Sequence, residues 1–424
     1  MNSDIRFAGP ASRKPRAFAL FANGDYRIFL ITATAAMMAD NIEHVISYWV
    51  MFQKFRSPAL GAFAVVSHWL PYLFFGAFSG RLADRFDIRR LIQIGMLLFI
   101  GVSIGWGVMF MTDSSAVWKA MLLLVIHGLA GVLWIPASQV LIHRIVTLEQ
   151  LPSAVRIFVT GRYLGFLVGP LVGDALLQTF GASIGICINA LIYVPLFAWL
   201  LRVPAHSQRG AGAAQGLSGF ADIWSTIKVV ANNRVLSSMT LLIGASAFFI
   251  GNAYQAQMPG FALDLGHARA NFSYGVLLGA DAAGGLAAGL ILEGGGLLPP
   301  RPRTAFILAM IWCCALFGFA RSNTYAVSIS LLFVAGFVEL GFNAMAQSLV
   351  QLNAPSDIRG RVLGVYSMFA MGLRTFSGLS VGLLGSLVNI HNSLSCSAAA
   401  LFLLYVAIFA IRYAGRRENG RGSA

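Results

Sequence analysis

Gly80-Arg81-Leu82-Ala83-Asp84-Arg85-Phe86-Asp87-Ile88-Arg89-Arg90 places six charged side chains within eleven residues. On both sides the chain turns apolar, over residues 58–80 before it and 91–111 after it. A bilayer core of about 30 Å is crossed by a helix of about 20 apolar residues. The stretch therefore reads as a short charged turn between two membrane spans.

The rest of the chain follows that pattern. Of its 424 residues 58% are hydrophobic and only 11% are Asp, Glu, Lys or Arg, against about 25% charged in a soluble domain. Mean hydropathy is +0.74. An ordinary cytosolic enzyme, a secreted disulfide scaffold and a disordered chain are all excluded. The net charge of +14 would suit nucleic acid, but the basic residues flank apolar runs instead of forming one stripe, so no nucleic-acid partner is expected. Cys187, Cys313, Cys314 and Cys396 lie inside apolar segments and read as small buried hydrophobes. No disulfide framework or CxxC metal pair is present, and neither a metal site nor a cofactor is expected.

Twelve spans can be drawn: 27–50, 58–80, 91–111, 118–142, 154–177, 182–201, 236–258, 271–295, 304–320, 325–350, 362–388 and 392–412. Only helices satisfy their backbone in lipid without closing a barrel, so the fold class is an all-α polytopic membrane protein. The first run contains Asp40, Asn41, Glu43 and His44, which a cleaved signal would not carry, and is expected to be a retained span. With the N-terminus inside, 23 of the 30 Lys and Arg fall in inner segments and five (Lys54, Arg56, Lys119, Arg269, Arg321) in outer loops. Both termini are therefore expected in the cytoplasm. The expected organisation is a tail at 1–26, a six-helix bundle at 27–201, a linker with an amphipathic helix at 202–235, a second six-helix bundle at 236–412 and a tail at 413–424. Two pseudo-symmetric halves suit a transporter.

The charged turn resembles the G-x-L-A-D-R-x-G-R-R loop of the major facilitator superfamily, with Asp87 where that pattern commonly has Gly. In span 5, Gly165, Gly169, Pro170 and Gly173 resemble the antiporter motif of that family's exporters, with Asp174 replacing a final Gly. Before span 11, Asp357 to Gly364 is similar to a stretch of the siderophore and macrolide exporters. The resemblance implies two six-helix bundles around a central cavity. It further implies that Gly80, Asp84, Arg85 and Arg89 form a conformational latch, in which Asp84 meets the N-terminal end of a neighbouring helix and the arginines complete a charge network. A carboxylate so placed gains about 0.3–1 kcal/mol. For span 5 the resemblance favours export; plain helix packing is the alternative.

No G-x-x-x-x-G-K-[ST] sequence occurs, so ATP hydrolysis by the chain is not expected. Charged groups at membrane depth are costly and mark ion or substrate pathways. Those found here are Asp40, Glu43 and His44 in span 1, Arg162 and Asp174 in span 5, Asp281 and Glu293 in span 8, Glu339 (with the polar Asn343 one turn on) in span 10 and Arg374 in span 11. Spans 3, 6, 9 and 12 have none, and in the family these are the spans outside the cavity. Asp40, Glu43, His44 and Ser47 fall on one helical face by spacing, where burial disfavours a charged carboxylate, as a proton carrier requires. Arg162 and Arg374 either clamp an anionic substrate or neutralise two of the four central carboxylates. His68 and His127, single histidines on apolar helices, read as packing residues.

The expected function is proton-coupled export of a small amphiphilic compound, a drug or siderophore, by a monomer in a bacterial-type inner membrane. Its partners would be that compound, protons and the lipid bilayer. The alternatives are an importer or facilitator of an organic anion held by Arg162 and Arg374, and a non-transporting membrane sensor or assembly factor.

Overall fold

The computed structural model describes residues 19–55, 58–203, 219–251, 253–265, 270–294, 299–377 and 389–414. All regular structure among them is helical. The first bundle is built from α1 (Gly24–Phe55), α2 (Pro58–Arg85), α3 (Ile88–Met111), α4 (Val117–Ile145) and α5 (Leu151–Arg202). A connecting helix, α6 (Gly219–Asn232), leads to α7 (Arg234–Phe249), α8 (Ala253–Ala256) and α9 (Met258–Asp264). The second bundle continues with α10 (Ala270–Gly294), α11 (Pro302–Arg321), α12 (Tyr325–Asn353), α13 (Arg359–Ser367), α14 (Arg374–Ser377) and α15 (Ile390–Phe409). At 1.5 Å per residue, the 24 residues of α3 reach about 36 Å, enough to cross a bilayer core. Eight of the described helices are long and apolar enough to span a membrane.

Four spans are shaped differently from their expected separate, continuous runs. Spans 5 and 6 form one helical stretch that breaks sharply at Gly181, whose φ of 75° and ψ of 170° no helix contains. Span 7 ends as a helix at Phe249. Gly251 then adopts a φ of 48°, open to glycine without strain, and a Cβ there would lie 2.5 Å from the Ser377 hydroxyl. Span 11 is interrupted by a π-turn over Met368–Gly372 before Arg374. Its expected continuation over 378–388 lies outside the described residues, as do residues 1–18 and 415–424 of the expected tails.

The charged turn is short because Asp87 caps α3, accepting the Arg89 backbone N–H at 3.0 Å. An Asp is a strong N-cap, which explains its presence where the family pattern commonly has Gly. Beyond the cap, Arg89 pairs with Asp87 and donates to the Val203 carbonyl after α5. The two bundles cross in backbone contact at this end of the molecule, its closed end. A Cβ on Gly80 would lie 2.7 Å from Gly364 Cα and would collide with the Gly360 carbonyl, so α2 and α13 touch backbone to backbone.

Candidate functional site

Between the bundles lies a cavity of about 430 Å³. Met37, Met96, Phe99, Trp134, Phe166 and Met371 supply apolar wall, and Asp40, His44, His68, Arg162, Glu339 and Arg374 supply polar groups. Five of the charged or polar candidates from the sequence (Asp40, His44, Arg162, Glu339 and Arg374) thus meet in one space. Three others do not line it. Glu43 is 1% exposed and turned away, Asp281 is buried behind the wall, and Asn343 donates back to the Glu339 carbonyl of its own helix at 2.9 Å.

The polar groups form two clusters. In the first bundle, α1 presents Asp40 and His44 to the cavity, while Glu43, one residue before His44, points toward α3 and α4. There Glu43 accepts from the Ser103 hydroxyl and meets His127 Nδ1 at 2.7 Å. His127 Nε2 lies 2.8 Å from Asp40 Oδ1, so one imidazole stands between two carboxylates. The expected single face of α1 is therefore split, because the adjacent residues Glu43 and His44 point about 100° apart around the helix, on either side of Asp40. Behind Ser103 stands Asn189, at 3.5 Å; spans 3 and 6 supply neutral hydroxyl and amide support to Glu43. His68 joins by its ring, 4.7 Å from that of His44 and 5.4 Å from that of His127. His127 thus packs with both carboxylates against its ring, and His68 stands beside it at the cavity wall. Nitrogen atoms of His44, His68 and His127 all lie within 4.8 Å of one another, a grouping able to hold a metal ion.

The second cluster spans both bundles. Glu339 from α12 faces Arg162 and Arg374, and the Tyr163 and Tyr254 hydroxyls lie beside it. Arg374 also rests over the Trp69 ring, 5.2 Å from its centroid. Asp281 Oδ2 accepts from the Tyr254 hydroxyl at 2.9 Å and from the Gln255 amide at 3.1 Å; its Oδ1 has no hydrogen-bond partner among the described residues. Tyr254 stands between Asp281 and Glu339. Of the sequence alternatives for the arginines, neutralisation fits one of the four carboxylates, Glu339, and not the others. Asp40 and Glu43 have His127 instead, and the partners described for Asp281 are neutral donors.

The small residues on α5 face α1. A Cβ on Gly169 would lie 2.6 Å from Asn41 Cβ, and one on Gly165 would lie 3.0 Å from the Met38 nitrogen. A Cβ on Gly173 would lie 3.3 Å from Ile42 Cα, tighter than ordinary contact, and Pro170 lines the cavity. Geometrically the set acts as a packing face that sets how near α1 comes to α5.

At the closed end, Asp84 accepts the Gly360 N–H at 2.5 Å and the Arg361 N–H at 2.8 Å, at the N-terminus of α13. The Arg361 guanidinium stands 3.7 Å away. This carboxyl lies beyond the span, and burial nevertheless pushes it up to about 6, with the two N–H groups and Arg361 opposing that push. The favourable helix-end term expected from the sequence is present but smaller than the desolvation of a carboxyl held between two helices. The arginines are arranged otherwise than expected. Arg85, with Arg81, pairs with Asp222 of α6, at 3.9 and 3.5 Å, and Arg89 serves Asp87.

A family model described as transmembrane secretion effector matches residues 15–420. The chain belongs to this family of the major facilitator superfamily. Among its relatives is the multidrug efflux pump Tap of Mycobacterium tuberculosis, 23% identical over 415 residues, which cover 92% of this chain and 94% of the relative. An uncharacterised transporter of the same superfamily and organism is 31% identical over 145 residues, 33% of this chain and 24% of its own length. The fold is similar to that of the human organic anion transporter MFSD10 (TM-score 0.71, 13% identity, covering 90% of this chain and 99% of that one). It is also similar to the Escherichia coli fucose:proton symporter FucP (TM-score 0.69, 10% identity, 91% and 98%). This family member is therefore a membrane transporter and not an enzyme.

Proposed function

We propose that the protein exports a small amphiphilic compound, a drug or siderophore, in exchange for protons by alternating access. The observation that carries this reading is the cavity itself, whose apolar wall is interrupted by Glu339 between Arg162 and Arg374. An apolar pocket with a few convergent polar groups suits a ligand with both characters. The similarity to a pump named for multidrug efflux supports the direction.

The proton is assigned to Asp281 and Glu339. Two buried carboxyls that share the Tyr254 hydroxyl repel each other when both are charged, so a proton on either one relieves the pair. Asp40 and Glu43, by contrast, already share His127, and Asp40 with His44 is assigned to the compound's side of the cavity. The excess of Lys and Arg in the segments on the Asp84 side supports cytoplasmic termini. The chain would then work as a monomer in the plasma membrane, with bundles at 27–201 and 236–412 and the linker 202–235 inside. In that orientation the closed end is cytoplasmic and the cavity belongs to an outward-facing arrangement. Gly80, Asp84 and the arginine pairs with Asp222 act as the latch of that arrangement.

Reconstitution in liposomes tests the assignment. A pH gradient should drive uptake of an amphiphilic cation such as ethidium into inside-acidic vesicles, and Asp281→Asn with Glu339→Gln should remove the dependence on the gradient. Flux that ignores the gradient, or that keeps its dependence in the double variant, refutes proton coupling at this pair. The pairing of two guanidinium groups in one cavity favours a second reading, carriage of an organic anion. Under that reading Arg162→Ala and Arg374→Ala abolish flux of anionic compounds and spare cationic ones.

A further inference from the structure

We infer that the cavity wall in the first bundle contains a binding site for a divalent transition-metal ion of the zinc class, with His44, His68, His127 and Asp40 as its ligands. Three imidazoles from α1, α2 and α4 converge there, their nitrogens within 4.8 Å of one another. Asp40 Oδ1 already stands 2.8 Å from His127 Nε2. Zinc binds imidazole nitrogen at about 2.0–2.1 Å in a tetrahedral site, which spaces ligand atoms about 3.4 Å apart. Closing the cluster from a spread of at most 4.8 Å to that spacing takes no more than about 1.4 Å of approach, and His44 and His68 both line open space in the cavity.

Two observations beyond the clustering point to a ligand. His68 Nδ1 is buried and has no hydrogen-bond partner among the described residues, while His127 Nε2 has the Asp40 carboxylate beside it at 2.8 Å. An unpaired buried polar atom is costly, and a metal bound between His127 and Asp40 would also satisfy His68. The second is the support behind His127. Its Nδ1 faces Glu43 Oε1 at 2.7 Å, and Ser103 holds the other carboxylate oxygen. A carboxylate that orients the far nitrogen of a histidine is the usual outer partner of a ligating imidazole.

The donor set also selects the ion. Three imidazoles and one carboxylate suit zinc, nickel, copper or iron, whereas magnesium and calcium require oxygen ligands. Asp40 and Glu43 place two carboxylates about His127, and a divalent cation balances them while displacing any proton from the imidazole. Because all four ligands and Glu43 belong to the first bundle, the ion does not depend on which end of the molecule is open. The inference stands apart from the proposed export and is tested without any flux.

The test uses the full-length protein in nanodiscs, with any affinity tag removed. Calorimetric titration with zinc chloride should give one ion per chain, and cobalt chloride should give the intense visible bands of a four-coordinate ion. Magnesium at the same concentration should not bind. His44→Ala and His68→Ala, which leave the Glu43–His127 pair intact, should each weaken zinc binding about 10-fold or more, while thermal unfolding without metal stays unchanged. His391→Ala, at a histidine paired with Asp264 elsewhere, should bind as the unaltered protein does. Stoichiometry well below one, a weak six-coordinate cobalt spectrum, or zinc affinity that survives both His44→Ala and His68→Ala would overturn the assignment.

Discussion

Replacing Gly80 with Ala should open the closed end. In the crossing of α2 and α13, the new Cβ would lie 2.7 Å from Gly364 Cα and would collide with the Gly360 carbonyl. Ordinary contact begins at 3.4 Å. Both obstacles are backbone, so no rotamer change relieves them and the helices must part by about 1 Å. Overpacking of this kind costs about 1–3 kcal/mol. The cost falls only on the arrangement in which the helices cross, since parted helices have room for a methyl group. At about 1.4 kcal/mol per factor of ten, the ratio of closed to open molecules should fall roughly 5- to 150-fold. Spin labels at Phe86 and Ser356, both exposed at this end, read that ratio as a distance distribution. The background for labelling replaces Cys187, Cys313, Cys314 and Cys396. Gly80→Ala should move the distribution to longer distances, while Gly24→Ala, where a Cβ meets nothing within 4 Å, should not. Identical distributions for the unaltered protein and Gly80→Ala would show that the glycine crossing does not hold this end shut.

The same labels test the proton on Asp84. A solvated Asp titrates near 3.9 and the buried one at about 6, so the closed end binds a proton that the open end releases. Closure should therefore strengthen as pH falls from about 6 to about 4 and weaken as pH rises through 6; Asp84→Asn should be insensitive over that window. Independently, His127→Ala strips the partner from Glu43, which is 1% exposed. Breaking a buried ion pair on one side costs roughly 3–5 kcal/mol. Thermal unfolding in detergent should show a large loss for His127→Ala and little for His68→Ala, and equal losses would refute the pairing.

The fold was legible because lipid imposes one simple rule, an apolar run of helical length, and because the charged turn punctuates the runs. That Asp84 meets the N-terminal end of a neighbouring helix could be expected from the motif, but not that the helix is α13 or that Gly80 crosses it. The polar clusters were legible only as lists. Spacing put Asp40, Glu43, His44 and Ser47 on one face, but packing on both sides of α1 sends Glu43 to Ser103 and His127 and leaves Asp40 and His44 in the cavity. His68 and His127 gave no local signal. Each is alone in its helix, and their meaning arises only when α2 and α4 bring them to α1. Their one readable feature was depth, a titratable ring near mid-span, which deserves the weight given to mid-span carboxylates. Tyr254 and Gln255 were hidden for a different reason. They follow the break at Gly251, and a left-handed glycine inside an apolar run has no mark in the sequence beyond glycine itself.

Tyr163 joins the closed end to the proton site. Its ring packs where a Cβ on Gly285 of α10 would lie, 2.7 Å from Tyr163 Cδ1, and its hydroxyl stands beside Glu339. One turn closer to the closed end, Thr160 fills the same role against Gly289, and Arg156 donates to the Leu292 carbonyl at 2.5 Å. Parting α5 from α10 must therefore withdraw the Tyr163 hydroxyl from Glu339, which changes what stabilises that carboxylate as the end opens. Coupling requires this, because a proton shifts an access equilibrium only by its difference in affinity for the two arrangements. Tyr163→Phe keeps the ring that packs on Gly285 and removes the hydroxyl alone. It should leave the Phe86–Ser356 distances near those of the unaltered protein while slowing gradient-driven flux about 10-fold, the effect of losing about 1.4 kcal/mol from one hydrogen bond to a charged group. If flux and its dependence on the gradient are both unchanged, the hydroxyl carries no part of the coupling. If instead the distances lengthen, the tyrosine acts through packing, and the link between the closed end and Glu339 must run through other residues.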